Sequence, residues 1–191
     1  MAKPIQALRA AYDGNPKAMA DALSGRGVKQ AANRTDATGR GTLTCAVAGR
    51  TGDAQASQCV ELLLLAGAQV NLVDQHCQSA LHFAARFGRP LCAIALIDAG
   101  ADVDIATDFG MRPIHLALQA ANPQLVSELI RAGADILSPS ADGVAPLDFA
   151  KEVHSKQASA EVKLRMAESL GILELHIATG RGHAPKKPHR I

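Results

Sequence analysis

The sequence predicts an all-α fold, a solenoid of stacked helix pairs with short β-hairpin-like finger loops between them. Three observations predict it. First, Ala66-Gly67-Ala68, Ala99-Gly100-Ala101-Asp102 and Ala132-Gly133-Ala134-Asp135 place glycine at 67, 100 and 133, in two equal steps. Second, the tetrads Ser79-Ala80-Leu81-His82, Arg112-Pro113-Ile114-His115 and Ala145-Pro146-Leu147-Asp148 keep the same step, and Gly110 and Gly143 precede the last two by one offset, as Gly39 precedes Thr42-Leu43-Thr44. Third, apolar residues make up 48% of the 191-residue chain but aromatics only 3%, so the core is Ala, Leu, Ile and Val, which lets helices approach closely.

The elements follow in order. Residues 5–35 read as an N-terminal cap, with a helix from about Ile5, a turn at Asp13-Gly14-Asn15-Pro16 and a second helix to Leu23. Residues 36–73 form an expanded repeat: the step from Leu43 to Leu81 is longer than the step from Leu81 to Ile114, and the five extra residues fall within Gly49 to Ser57, between its two helices. They read either as a recognition loop or as a tolerated surface excursion. Residues 74–107 and 108–140 are regular repeats. In the first, Leu81, Ala84 and Ala85, then Leu91, Ile94 and Ala95, follow helical i, i+3, i+4 spacing. The glycine at each repeat end suits the left-handed residue that closes a helix. The alternation of Asp102-Val103-Asp104-Ile105 then predicts a strand-like finger with the two acids on opposite faces, as solvated charge. Residues 141–178 read as a C-terminal cap. From Thr179 to Ile191 there are four Lys/Arg and no acid, a basic tail expected to be disordered.

The period of about 33 residues, together with Leu81-His82 and Pro113-Ile114-His115-Leu116-Ala117, resembles the ankyrin-repeat family and its Thr-Pro-Leu-His-x-Ala signature, over roughly residues 5 to 175. Ser79, Arg112 and Ala145 stand where the family favours Thr, and Ala80 replaces Pro, which implies helix starts capped less rigidly than in idealised repeats. The resemblance implies that His82 and His115 hydrogen-bond neighbouring loops rather than catalyse.

The residues themselves give no chemistry. There is no GxxxxGK[ST], GxSxG, GxGxxG or HExxH, and Cys45, Cys59, Cys77 and Cys92 are scattered along the chain without a CxxC pair. They read as small buried hydrophobes. No enzyme, cofactor or metal is expected. The chain's +2 charge is confined to the tail, since residues 1–178 carry 16 basic and 18 acidic groups. No uninterrupted apolar stretch resembles a signal or a membrane span, so a cytoplasmic protein is expected, monomeric by itself, with delivery into a host cell left open.

A helix-pair solenoid offers one face of finger tips and inner helices to a partner protein. Counting around each finger glycine and past each inner-helix alanine pair places Arg40, Gln75, His76, Gln78, Arg86 and Phe87, then Asp108, Phe109, Met111 and Gln119, then Asp142, Val144 and Glu152 on that face. Phe87, Phe109 and Met111 read as apolar anchors with polar rims. The other reading of Phe109 is that it folds back over Met111. The expected function is non-catalytic capture of a partner protein, as an inhibitor, immunity-type protein or scaffold. The alternative is binding of nucleic acid or an acidic surface through the tail with Arg40, Arg86, Arg89 and Arg112.

Overall fold

The computed structural model describes residues 4–156 and 159–179. Among these there are eleven helices and no strand: α1 Pro4–Tyr12, α2 Pro16–Ala22, α3 Val28–Ala32, α4 Thr42–Ala48, α5 Asp53–Leu65, α6 Ala80–Arg86, α7 Pro90–Asp98, α8 Pro113–Gln119, α9 Pro123–Arg131, α10 Pro146–Lys156 and α11 Ala160–Ala178. They fall into two compact units that divide between Asp102 and Val103, inside a repeat rather than at a boundary the sequence marks.

In the first unit α1 packs on α2 and α4, α4 on α5 and α6, and α7 on α5 and α6. Its core is Met19, Leu63, Leu81 and Leu96, filled in by Ala46, Ala84, Ala85, Cys59 and Cys92. In the second unit α8 packs on α9 and α10, and α11 on α9 and α10, around Ile114, Leu118, Leu125, Leu129, Met166 and Leu173. The alanines matter because inner helices of only seven residues have few side chains with which to interlock, so stability comes from close backbone approach.

Helix ends explain the period. Gly67, Gly100 and Gly133 have φ of 81°, 89° and 91°, and the amide after each bonds back across the last turn, Ala68 to Leu63, Ala101 to Leu96 and Ala134 to Leu129. This is the left-handed closure that glycine makes without a steric penalty. Cys77 occupies the position of Gly110 and Gly143 in its own repeat and takes φ of 57°, a strained conformation for a side-chain-bearing residue.

Four features differ from the sequence reading. The fingers are turns, not strand-like: Thr35–Gly41 and Val73–Ser79 each form one isolated antiparallel bridge, because a five-residue tip leaves room for a single pairing. Val103 and Asp104 form a turn, so Asp102 and Asp104 do not alternate across a strand, and Asp104 Oδ1 accepts the Asp135 amide at 2.8 Å. Helix starts are capped through the histidines. His82 Nδ1 accepts the Ser79 amide at 3.1 Å and lies 2.9 Å from the Ser79 hydroxyl, while His115 Nδ1 accepts the Arg112 amide at 3.2 Å. A backbone N–H only donates, so both Nδ1 atoms are unprotonated.

The fourth difference is the insertion. Only Gly49–Gly52 is loop, and Asp53–Ser57 begins the thirteen-residue α5. The loop is stitched down on three sides. Arg50 donates its amide to the Tyr12 carbonyl, and Arg89 Nη2 donates to the carbonyls of Gly49 (2.6 Å) and Thr51 (2.7 Å). Asp53 accepts the amides of Leu91 (2.8 Å) and Cys92 (3.2 Å) at the start of α7. The physical reason is visible one repeat on, where Asn122 caps α9 by accepting the Leu125 amide at 3.1 Å. Arg89 holds the equivalent position before α7 and cannot accept, so the acid of the neighbouring helix supplies the cap.

Side-chain amides tie successive fingers. Asn33 accepts the Gln69 amide (2.7 Å) and donates to the Gly67 carbonyl (2.9 Å), and Asn71 does the same with Asp102 (2.8 Å) and Gly100 (3.4 Å). Asp104, at the next equivalent position, makes the accepting bond but has no N–H to donate. Asp104→Asn restores a donor toward the Gly133 carbonyl. It is expected to raise stability by about 1 kcal/mol, the usual net worth of one hydrogen bond, read as a shift in urea midpoint at unchanged m-value.

His115 is fully buried, packed edge-on against Phe149 with ring centroids 5.7 Å apart, and its Nε2 lies by the Val144 backbone without closing a bond of good geometry. Burial, and secondarily the Arg112 charge, hold its pKa below the ordinary histidine value. The unfolded chain therefore takes up a proton near pH 6.5 that the folded chain refuses, and stability falls as pH drops through that region. Urea titrations between about pH 7.5 and 5 are expected to show a loss approaching about 1.4 kcal/mol per pH unit from this residue, with His115→Gln flattening the dependence by up to one proton.

Candidate partner-binding surface

Each finger is built by the residue that opens it. In the first unit Asp36 Oδ1 accepts the amides of Thr38 (2.8 Å) and Arg40 (3.0 Å) and the Thr38 hydroxyl (2.7 Å). Asp74 Oδ1 likewise accepts the amides of His76 and Gln78, both at 2.9 Å. In the second unit Thr107 donates its amide to the Met111 carbonyl and accepts the Met111 amide on its hydroxyl at 3.2 Å, and Ser140 donates its amide to the Val144 carbonyl. The side chains of Asp36, Asp74 and Thr107 fold back on amides ahead of them in the turn, which fixes the tip before any partner arrives.

In the first unit, Arg40 is half-buried and committed to its own finger: Nη2 lies 2.9 Å and Nε 3.0 Å from Asp36 Oδ2. Burial works against both charges, but the amide and hydroxyl donors and Arg40 still hold the Asp36 carboxyl below its usual pKa, while Asp36 raises that of Arg40. Gln75 and His76 are exposed on the next tip and Gln78 is half-buried. The Gln75 amide donates to the Thr38 carbonyl at 3.4 Å, so these two fingers stack. At the end of α6, Phe87 is 51% exposed and packs against the buried Phe83 at 6.2 Å between centroids, with the Arg86 guanidinium 5.5 Å over the Phe83 ring.

In the second unit Phe109 is 69% exposed, so it does not fold back over Met111, which is half-buried. Its carbonyl accepts the Ala141 amide at 3.2 Å, which stacks the 107–111 finger on the 140–144 finger. Asp108, Gln119 and Asp142 are exposed and Val144 is half-buried. Glu152, on α10, sits 2.6 Å from Lys156 in an exposed i,i+4 pair.

Of the arginines in the alternative reading, Arg89 is spent on the insertion loop, and Arg112 Nη1 donates to the carbonyls of Ser138 (3.0 Å) and Pro139 (3.3 Å). The basic tail from Gly180 onward lies outside the described residues. Burial pushes the Cys45 and Cys59 thiols up to about 11 and Cys92 higher still, so none of the three is a thiolate nucleophile at neutral pH. Sequence reasoning missed Asp36, Asp74, Thr107 and Ser140 as the openers of the tips. Their recurrence in step with the helix starts at Thr42, Ala80, Pro113 and Pro146 was the available signal.

A family model for ankyrin repeats matches the chain in three overlapping copies, over residues 7–106, 46–140 and 81–158. No curated protein matches the chain. Among the described residues no helix is long and apolar enough to cross a membrane, and no cluster of His, Cys, Asp or Glu is placed to hold a metal ion. Ankyrin repeats are in general non-catalytic modules that bind other proteins. The repeat period, the left-handed glycine closures, the buried histidines at helix starts and the family match over residues 7–158 agree, and the chain belongs to the ankyrin-repeat family.

Proposed function

We propose that this chain captures a partner protein on its finger and inner-helix face without catalysis, acting as an inhibitor, an immunity-type protein or a scaffold. The observation that carries this reading is Phe109, a large apolar side chain 69% exposed at the tip of a finger pinned by Thr107, Met111 and Ala141. An exposed aromatic on a fixed backbone loses little conformational entropy on binding, which is the property of an interface anchor. Phe87, supported from beneath by Phe83, supplies the equivalent feature on the first unit. Gln75, His76, Gln78 and Arg86 surround the apolar feature of the first unit, where Arg40 holds its finger in shape, and Asp108, Met111, Gln119, Asp142, Val144 and Glu152 supply the surroundings in the second. Of the four arginines that the nucleic-acid alternative draws from the fold, Arg40, Arg89 and Arg112 are engaged by the chain itself and Arg86 lies over the Phe83 ring.

Affinity capture from the source cells tests the reading, with wild type, Phe109→Arg and a chain ending at Ala178 as baits and bound proteins identified by mass spectrometry. Wild type and the shortened chain are expected to retain the same protein, and Phe109→Arg to weaken it by at least ~30-fold in a follow-up titration, the scale of a hot-spot loss. Capture that survives Phe109→Arg but disappears with the tail or in high salt would overturn the reading in favour of the basic segment.

A further inference from the structure

The repeat supplies its own reference for the outer helices. Positions facing out from α9 are Gln124, Ser127, Glu128 and Arg131, all polar, with Arg131 and Glu128 ion-paired at 2.9 Å. The equivalent residues one repeat earlier, on α7, are Leu91, Ile94, Ala95 and Asp98, and one repeat earlier again, on α5, they are Gln58, Glu61, Leu62 and Leu65. The face that is polar on α9 is therefore half aliphatic on α5 and three-quarters aliphatic on α7, two helices packed directly on one another in the first unit. Leu65 is 87% and Leu91 46% exposed, and Leu62 and Ile94 are half-buried. Scattered exposed leucines are ordinary, but Leu91, Ile94 and Ala95 at i, i+3, i+4 on α7, beside Leu62 and Leu65 at i, i+3 on the α5 it packs on, put aliphatic surface on two adjoining helices.

The charges restrict what covers it. Neither α5 nor α7 contains Lys or Arg, their exposed charges are Glu61 and Asp98, and Lys29 of α3 lays its stem by Gly67, past the end of α5. Arg89, immediately before α7, is committed to the insertion loop. A second copy docked symmetrically would bring carboxylates against carboxylates, and an anionic lipid surface would meet the same repulsion. The furrow between two packed helices accepts a third helix by its aliphatic stripe.

We propose that the outer face of α5 and α7 is a docking groove for a basic amphipathic helix of a partner protein, with aliphatic side chains between Leu62, Leu65, Leu91 and Ile94 and lysine or arginine flanks toward Glu61 and Asp98. This surface is separate from the fingers and does not depend on them. The thirteen residues of α5 span about 20 Å, so the matching partner segment is about fourteen residues long.

The test uses the full chain and two labelled fourteen-residue peptides with leucine at i, i+3, i+4 spacing, one with lysine and one with glutamate elsewhere, followed by fluorescence anisotropy. The lysine peptide is expected to bind with Kd of order ~10–100 μM, weakening as salt rises, and the glutamate peptide at least ~10-fold more weakly. Leu65→Gln/Leu91→Gln, both at exposed positions, is expected to lose at least ~10-fold with unchanged circular dichroism, while Phe109→Arg leaves binding intact. Equal binding of the two peptides overturns the proposal, as does undiminished binding to the double variant. Sedimentation showing a dimer of wild type that the double variant dissolves overturns it too, by assigning the groove to a second copy.

Discussion

A pair of helices seven and nine residues long cannot bury its own apolar stripe, and this one insufficiency organises the molecule. Alone, such a pair would expose Leu81 and Ala84 on one helix and Leu96 on the other, and short isolated helices are unstable in water. Stacking supplies the missing face, as α4 and α5 do for α6 and α7 in the first unit. The step between pairs then has to stay constant, which is why glycine returns at one fixed interval, at 67, 100 and 133, to close an outer helix with φ of 81°, 89° and 91°. Alanine recurs on the inner helices for the same reason, since Ala84, Ala85 and Ala117 are all fully buried where a larger side chain would push the stack apart.

Polar groups at the edge of the stack and inside it obey the same geometry. Asn33 and Asn71 each reach one repeat forward and bond a backbone carbonyl and amide that would otherwise face a loop edge. The buried imidazoles stay neutral because their Nδ1 must accept from a helix-start amide. Charge is likewise consumed internally: Arg40, Arg89 and Arg112 each serve a turn or loop, so a count of arginines overstates what the surface offers. The expanded repeat fits this logic, because lengthening α5 at its start brings Asp53 to the amides of α7 that Arg89 cannot cap.

Features set by neighbours in sequence were legible and features set by neighbours in space were not. The helix starts at Ala80, Pro113 and Pro146, the turn at Asp13 to Pro16 and the glycine closures all follow from residues within one turn of the feature. The identity of the finger residues followed from the period. The roles of Asp53 and Arg89 depend on partners one repeat away in the chain, and α3 at Val28–Ala32 has too little periodicity to announce itself. The exposure of Phe109 was an open alternative in the sequence, since only the backbone of the finger decides whether the ring turns in or out. Alternation in Asp102-Val103-Asp104-Ile105 pointed to a strand, but Val103 and Asp104 form a turn, in which side chains do not alternate between two faces.

A repeat protein carries internal controls, and these separate what the fold requires from what it permits. Buried positions are constrained by the stack: Leu63, Leu96 and Leu129 repeat the same residue at the same step, all fully buried. Outward positions on the outer helices contribute nothing to stacking, so the fold places no demand on them. The same holds for the finger tips, where Thr38, His76, Phe109 and Asp142 share a position and no chemistry. An exposed aliphatic group at such a place gains no stability from the core and adds to the risk of nonspecific association. Leu65 and Leu91 on the outer helices, and Phe87 and Phe109 on the finger side, are therefore residues whose presence the architecture does not explain. In a fold whose interior is this repetitive, binding specificity is carried by the positions that do not repeat.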